Sequence, residues 1–357
     1  VVNWQVTDAA GWTAICSFTV TVTDGQAPSI ICPANLIKTT DLNQCTAVVT
    51  YAAPMYSDNC SNANIQRVSG PASGGIFPKG TTMVNWQATD AWGNSSLCGF
   101  TVTVNDGQAP GITCPLHQTR SADPGQCQAS VTYTTPTATD NCSPAPALVW
   151  VSGGTSPTAS GANSVSVFQK GATTVTWKAT DGANLTKTCT FRVTVNDTEA
   201  PAITCPVGQS VNTAAGACAS AAVIYATPSA TDNCASPAPA VTRVSGPASG
   251  SNFPKGVSNV TWRAMDAAGN TKTCSFVVTV TDNVLPGIAC PAAIAASGTV
   301  VNGVCSAVVT YANATAIDNC AVASVVLQNG GASGSSFPEG ATVNVWRAMD
   351  DSGLTAT

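Results

Sequence analysis

Sixteen cysteines and a single histidine set the chemistry open to this 357-residue chain. His117 is alone, so no Ser/His/Asp or Cys/His set can be assembled and nucleophilic catalysis lacks its base. No C-x-x-C motif occurs, which removes the main support for dithiol redox and zinc-ribbon chemistry. Thiols at this density are a hazard in a reducing cytosol and become bridges in an oxidising compartment. The expected place is therefore extracellular, at the cell surface or in a periplasm. The carboxylates are sparse and recur in fixed contexts. The Asp of each Asp-Asn-Cys, and Asp90, Asp181, Asp266 and Asp350 of Trp-x-Ala-x-Asp, sit where a strand ends. They read as turn or cap residues, not as an acid–base pair. Asp24, Asp106, Asp197 and Asp282 recur at junctions. Hard oxygen ligands there suit calcium, although the alternative is a capped linker turn and no dense D-x-D cluster is present. No catalytic residue, cofactor-binding residue or other metal site is expected.

The elements that must position these residues are short strands. Charged residues make up 9% of the chain and the formal net charge is -5, so there is no electrostatic footprint for nucleic acid or an anionic membrane. Hydrophobic residues are 44%, but they come in short Val/Thr-rich runs, none near the length of a membrane helix, and membrane insertion is not expected. DGQAPSIICP (24–33) returns as DGQAPGITCP (106–115), DTEAPAITCP (197–206) and DNVLPGIACP (282–291). Each is followed by a Cys leading into a Tyr-terminated strand, an Asp-Asn-Cys, an F-P-x-G-like turn, a Trp strand and a final Cys strand. The period lies between 82 and 91 residues, and the longest repeat carries a Ser/Gly/Pro-rich loop near 152–164. Alternating runs such as Phe-Thr-Val-Thr-Val have the period of a half-buried strand. About seven such strands per repeat predict an all-β chain of tandem immunoglobulin-like sandwiches, disulfide-stapled and rod-like. The expected domains are 24–105, 106–196, 197–281 and 282–357, the last without its final strand, with the end of a further repeat at 1–23.

The order C-P, C-x-A-x-V-x-Y, D-N-C, F-P-x-G, V-x-W-x-A-x-D, C-x-F-x-V-x-V-x-D resembles the HYR (hyalin repeat) domain family over essentially the whole chain. Gln169 replaces the Pro of F-P-x-G and Glu339 its Lys. The Thr/Ala/Asn-rich tandem array looks like the bacterial members. The resemblance implies an immunoglobulin-like module of extracellular proteins linked with adhesion and without catalysis of its own. Four cysteines per repeat allow three connectivities, which spacing does not resolve. The resemblance favours outer with outer: Cys32–Cys98, Cys114–Cys189 and Cys205–Cys274. The middle cysteines then pair as Cys45–Cys60, Cys127–Cys142, Cys218–Cys234 and Cys305–Cys320. Val1-Val2-Asn3-Trp4 repeats Met83-Val84-Asn85-Trp86, and the residue expected after Thr357 is a Cys. Two readings follow. One is a window on a longer covalent array, which is favoured. The other is head-to-tail strand donation, with Cys16 bridging Cys290 of a neighbour.

The function expected is structural and adhesive: the shaft of a surface fibre or the stalk of an adhesin, with self-association into fibres or continuation of the array. The alternatives are a glycan- or protein-binding module and the non-catalytic spacer of a secreted enzyme. Trp86, Trp177, Trp262 and Trp346 are expected in cores, while Trp12, Trp92 and Trp150 are contact candidates for a sugar or a subunit. Asn94, Asn184, Asn196, Asn259 and Asn313 are N-linked glycosylation candidates in a chain with few charges to keep it soluble.

Overall fold

The computed structural model describes residues 1–60, 62–160, 162–301 and 304–357, and its elements are all β-strands. Gly161, in the Ser/Gly/Pro-rich segment expected as a loop, lies outside the described residues. The chain forms two compact units. One comprises residues 1–120 and 130–194, the other 121–129 and 195–357. The excursion of 121–129 into the second unit carries Cys127, whose bonding partner is described below.

The first two strands, β1 (Val2–Thr7) and β2 (Thr13–Phe18), form an isolated antiparallel hairpin. The repeat that follows shows the plan of the others. Its strands are β3 (Ser29–Ile31), β4 (Leu36–Thr39), β5 (Thr46–Val49), β6 (Met55–Ser57), β7 (Asn64–Ser69), β8 (Gly75–Pro78), β9 (Gly80–Thr89) and β10 (Ser95–Asn105). One sheet runs β4-β10-β9-β7, and the pairs β3-β6 and β5-β8 make the rest. β4 lies parallel to β10, so the opening and closing segments of the repeat are neighbours. The same four-stranded order recurs in the second repeat (118–121, 186–196, 171–180, 147–152) and the third (209–212, 271–281, 256–265, 240–245).

Alternation explains which face is buried. Along β10, Phe100, Val102 and Val104 point inward at 2% exposure or less, and the Thr residues between them face outward. With Val84, Ala47, Val49 and Phe77 they form the core, and Tyr51 and Trp86 close it. Tyr51 stacks edge-on against Phe100 at 5.0 Å and Phe77 at 6.4 Å, and its hydroxyl donates to Pro71 O at 2.6 Å. Burying each such side chain contributes about 1.5–3 kcal/mol. Tyr225, Phe253 and Phe276 repeat the arrangement in the third repeat.

The β9–β10 hairpin turns on Asp90, whose Oδ1 accepts from the N–H groups of Trp92 and Asn94, both at 2.9 Å. Gly93 has φ +92°, a backbone that favours glycine; in the second repeat Asn184 adopts it at φ 66°. Asp8, Asp181, Asp266 and Asp350 make the same turn.

Candidate functional site: the seams between repeats

Three disulfides lie within repeats. Cys32–Cys98, Cys114–Cys189 and Cys205–Cys274 each join the opening segment of a repeat to its last strand. The middle cysteines differ from the expectation. Cys45 bonds Cys142, Cys127 bonds Cys234 and Cys218 bonds Cys320, so every one of these bonds joins a repeat to the next. The predicted pairs Cys45–Cys60, Cys127–Cys142, Cys218–Cys234 and Cys305–Cys320 are therefore corrected. Cys60 and Cys305, together with Cys16 and Cys290, are free thiols in this chain.

The physical reason is the length of the sandwich. Cys45 sits at one end, where Lys79 N–H donates to its carbonyl and the Lys79 ammonium reaches Asp106 at 3.2 Å. Cys60 sits at the opposite end, hydrogen-bonded to Asp24. Together β5 and β6 carry the chain from one end to the other, so two cysteines close in sequence do not meet. Burial and the carboxylates of Asp24 and Asp58 push the Cys60 thiol above its ordinary range, which disfavours the reactive thiolate.

Each seam is built from the same parts and lies within one unit. The Asn of Asp-Asn-Cys reaches back to the turn before the middle cysteine of the preceding repeat. Asn141 Nδ2 donates to Gln44 O at 2.7 Å, Asn233 Nδ2 to Gln126 O at 2.7 Å and Asn319 Nδ2 to Ala217 O at 3.1 Å. That turn takes positive φ at Asn43, Gly125 and Gly216. Gln108 Oε1 accepts from Asn43 N–H at 2.7 Å, and Glu199 Oε2 accepts from Gly125 N–H at 2.8 Å. The third seam uses Thr213 instead, whose hydroxyl donates to Asp282 Oδ1 at 3.1 Å.

Carboxylates converge beside these contacts. Asp24, Asp58 and Asp90 bring oxygens within 4.8 Å of one another. Asp106 with Asp140, Asp197 with Asp232, and Asp282 with Asp318 do the same, each next to the bonded sulfur of the Asp-Asn-Cys cysteine. Burial pushes the Asp282 carboxyl up. The Val284 N–H, Asn319, Thr213 and Lys255 outweigh that and hold it below its usual range. Sequence reasoning named the linker aspartates but read their partners only as turn residues.

The other predicted positions are less convergent. His117 is exposed and its Nδ1 accepts from Arg192 N–H at 2.9 Å. Trp177 and Trp346 are buried, Trp86 and Trp262 half-buried. Trp12 and Trp92 are exposed, and Trp150 is half-buried with its indole N–H on Gly153 O. Asn94 is engaged in the turn, donating to Asp24 O and Asp90 Oδ2. Asn184, Asn196, Asn259 and Asn313 are exposed.

The HYR domain family matches residues 23–104, 105–195, 196–280 and 281–357. Hyalin of Strongylocentrotus purpuratus is 34% identical over all of this chain, which spans 29% of that protein. Hyalin of Lytechinus variegatus is 31% identical over all of it, and the chain spans 66% of that protein. Among solved structures, the protocadherin GammaB4 extracellular domain superposes with TM-score 0.38 at 13% identity, covering 99% of this chain and 75% of its own. Mouse cadherin-23 EC22-24 does so with TM-score 0.35 at 15% identity, covering 72% and 99%. Six disulfides among the described residues, together with the hyalin relatives, make this an extracellular repeat protein. The chain belongs to the HYR domain family.

Proposed function

We propose that the chain is a load-bearing segment of an extracellular structure, the shaft of a fibre or the stalk of an adhesin. The observation that carries this reading is the way the two classes of disulfide interlock. Cys45 lies inside the loop closed by Cys32–Cys98, and its partner Cys142 lies inside the loop closed by Cys114–Cys189. Two covalent paths therefore cross from one repeat to the next, the backbone linker and the seam bond. A catalytic or transient binding module has no evident need of that redundancy; a tether under tension does. The exposed Asn184, Asn196, Asn259 and Asn313 are the proposed carriers of N-linked glycans on a surface with few charges.

Single-molecule stretching tests the reading. The Cys32–Cys98 bond short-circuits 66 residues, so it locks roughly 220–240 Å of extended chain out of reach of the force. The oxidised protein is expected to extend without steps of that size, and the reduced protein to show them. Such steps in the oxidised protein would refute the load-bearing role.

A further inference from the structure

We propose that Asn329 is a self-modification site: its side-chain amide is lost to attack by the Gly330 nitrogen, leaving an aspartyl or isoaspartyl residue in the fourth repeat. The proposal starts from a position where that repeat departs from the others. The first three repeats carry Ser69-Gly70, Ser152-Gly153 and Ser245-Gly246 at the end of the strand preceding the F-P-x-G segment, and the fourth carries Asn329-Gly330. The backbone requires the glycine in all four, with φ of +85° at Gly70, +100° at Gly153, +86° at Gly246 and +114° at Gly330. At Gly330 a Cβ would also lie 2.0 Å from Asn344 Oδ1. A serine hydroxyl offers a nitrogen nothing to attack, whereas an asparagine amide carries an electrophilic carbonyl. The least hindered kind of backbone nitrogen therefore follows an asparagine at this position alone of the four.

The geometry brings the reacting groups together. Gly330 N–H donates to Asn329 Oδ1 at 3.0 Å, so the side-chain carbonyl already lies against the nitrogen that attacks it. Asn329 and Gly330 are both exposed, which admits water and base, and the strand register shifts between Leu327 and Asn329. The Asp-Gly pairs of the chain are arranged differently. Asp24, Asp106 and Asp181 each use Oδ1 to accept from the residue two further on, Gln26 at 3.0 Å, Gln108 at 3.3 Å and Ala183 at 2.8 Å, and not from the glycine. An ionised carboxylate is in addition a poor electrophile.

The step balances with water as the co-reactant. Solvent base removes the Gly330 N–H proton, and the nitrogen bonds to Asn329 Cγ. The Cγ–Nδ2 bond breaks and the amide leaves as ammonia, taking up a proton. Water then opens the five-membered imide. Cleavage at Cγ restores the backbone with an aspartyl side chain, and cleavage at the main-chain carbonyl routes the backbone through the side chain. Either product adds a negative charge, and the second lengthens the backbone just before Gly331. Gly331 is pinned on both sides: its N–H donates to Asn344 Oδ1 at 2.9 Å, and its carbonyl accepts from Asn344 Nδ2 at 3.3 Å and from the Tyr311 hydroxyl. Tyr311 stands edge-on to Phe337 at 6.3 Å and to Trp346 at 6.5 Å. A close-packed core transmits such a displacement, so the modification loosens the fourth repeat.

The test ages the full oxidised chain at neutral and mildly alkaline pH, beside a synthetic peptide of residues 324–334, and maps the products by mass spectrometry. Cleavage after Tyr311 places Asn302, in the other Asn-Gly pair, on a different peptide. The expected result is a gain of one mass unit at Asn329, as two chromatographically distinct products, on the timescale of the free peptide and faster at the higher pH. Asn329 still intact in the folded chain after the peptide has converted would overturn the proposal. The Asn329→Ser variant carries the residue of the other three repeats. It should show no mass gain at this position and keep its unfolding temperature on ageing, while the aged parent unfolds at a lower one. An equal fall in parent and variant would overturn the link from Asn329 to the core.

Discussion

The interior of a repeat and the seam between repeats are held by different physics. Inside the first repeat, Phe77, Val84 and Val102 are fully buried and Cys32–Cys98 crosses a core that already exists. Cys45–Cys142, the Asn141 amide, the Lys79–Asp106 ion pair and the Asn43–Gln108 contacts are polar or covalent. The Asn141 and Asn43–Gln108 contacts are exposed and contribute little individually, because water competes for them, whereas the Lys79–Asp106 pair is part-buried. The covalent bond is therefore what makes two repeats inseparable, while the core makes each repeat stable. The interior resists unfolding and the seam resists separation.

The largest expected effect separates these roles. A protease site placed in the Asp106–Pro110 linker should be cleavable without releasing fragments, because Cys45–Cys142 still joins the two sides. Unreduced denaturing electrophoresis should show one band for the cleaved parent and two for a cleaved Cys45→Ser variant. Two bands from the unreduced parent would break the comparison. The next effect concerns stability. Chain entropy alone would assign about 4–5 kcal/mol to either class of bond, from loop separations of 75 for Cys114–Cys189 and 107 for Cys127–Cys234. The account instead expects Cys114→Ser/Cys189→Ser to destabilise its repeat by about 2–4 kcal/mol in denaturant unfolding. Cys127→Ser/Cys234→Ser should shift it by about 1 kcal/mol or less, because the folded cores on either side already confine most of that loop. Equal losses would show that seam and interior unfold as one.

The smallest effect is acid sensitivity. Burial raises the Asp90 and Asp266 carboxyls, but the amides of Asn94 and Asn270 and the turn N–H groups outweigh it and leave both below their ordinary range. A carboxyl depressed on folding contributes stability that is present above its unfolded value and lost as pH falls through the folded one. Stability should thus be flat above about pH 5 and decline below about pH 4. Asn94→Leu and Asn270→Leu should flatten that decline. An unchanged acid profile in these variants would contradict the assigned role of the amides.

The strands, the turns and the core tyrosines were legible because each repeats locally: alternation in Phe-Thr-Val-Thr-Val, Asp and Gly at the turn, Tyr at a strand end. The cysteines were legible only where partners stand at matching strand positions. Cys45 and Cys60 misled because closeness in sequence hides the length of strand between them. What spacing does not show is the reach of the Asn before the Asp-Asn-Cys cysteine, whose amide crosses to the preceding repeat at Asn141, Asn233 and Asn319. The aspartates were half-legible. Their turn role follows from spacing, whereas the orphaned second oxygens of Asp181 and Asp350 emerge only when Leu185 and Leu354 are compared with Asn94 and Asn270 in place.

The middle cysteines staple one repeat to the next. Mass spectrometric mapping of unreduced peptides, with thiols blocked before digestion, tests it most directly. Linked peptides containing Cys45 with Cys142, Cys127 with Cys234 and Cys218 with Cys320 are predicted. Recovery of Cys127 linked to Cys142, or Cys218 linked to Cys234, would place the bonds inside repeats and contradict it.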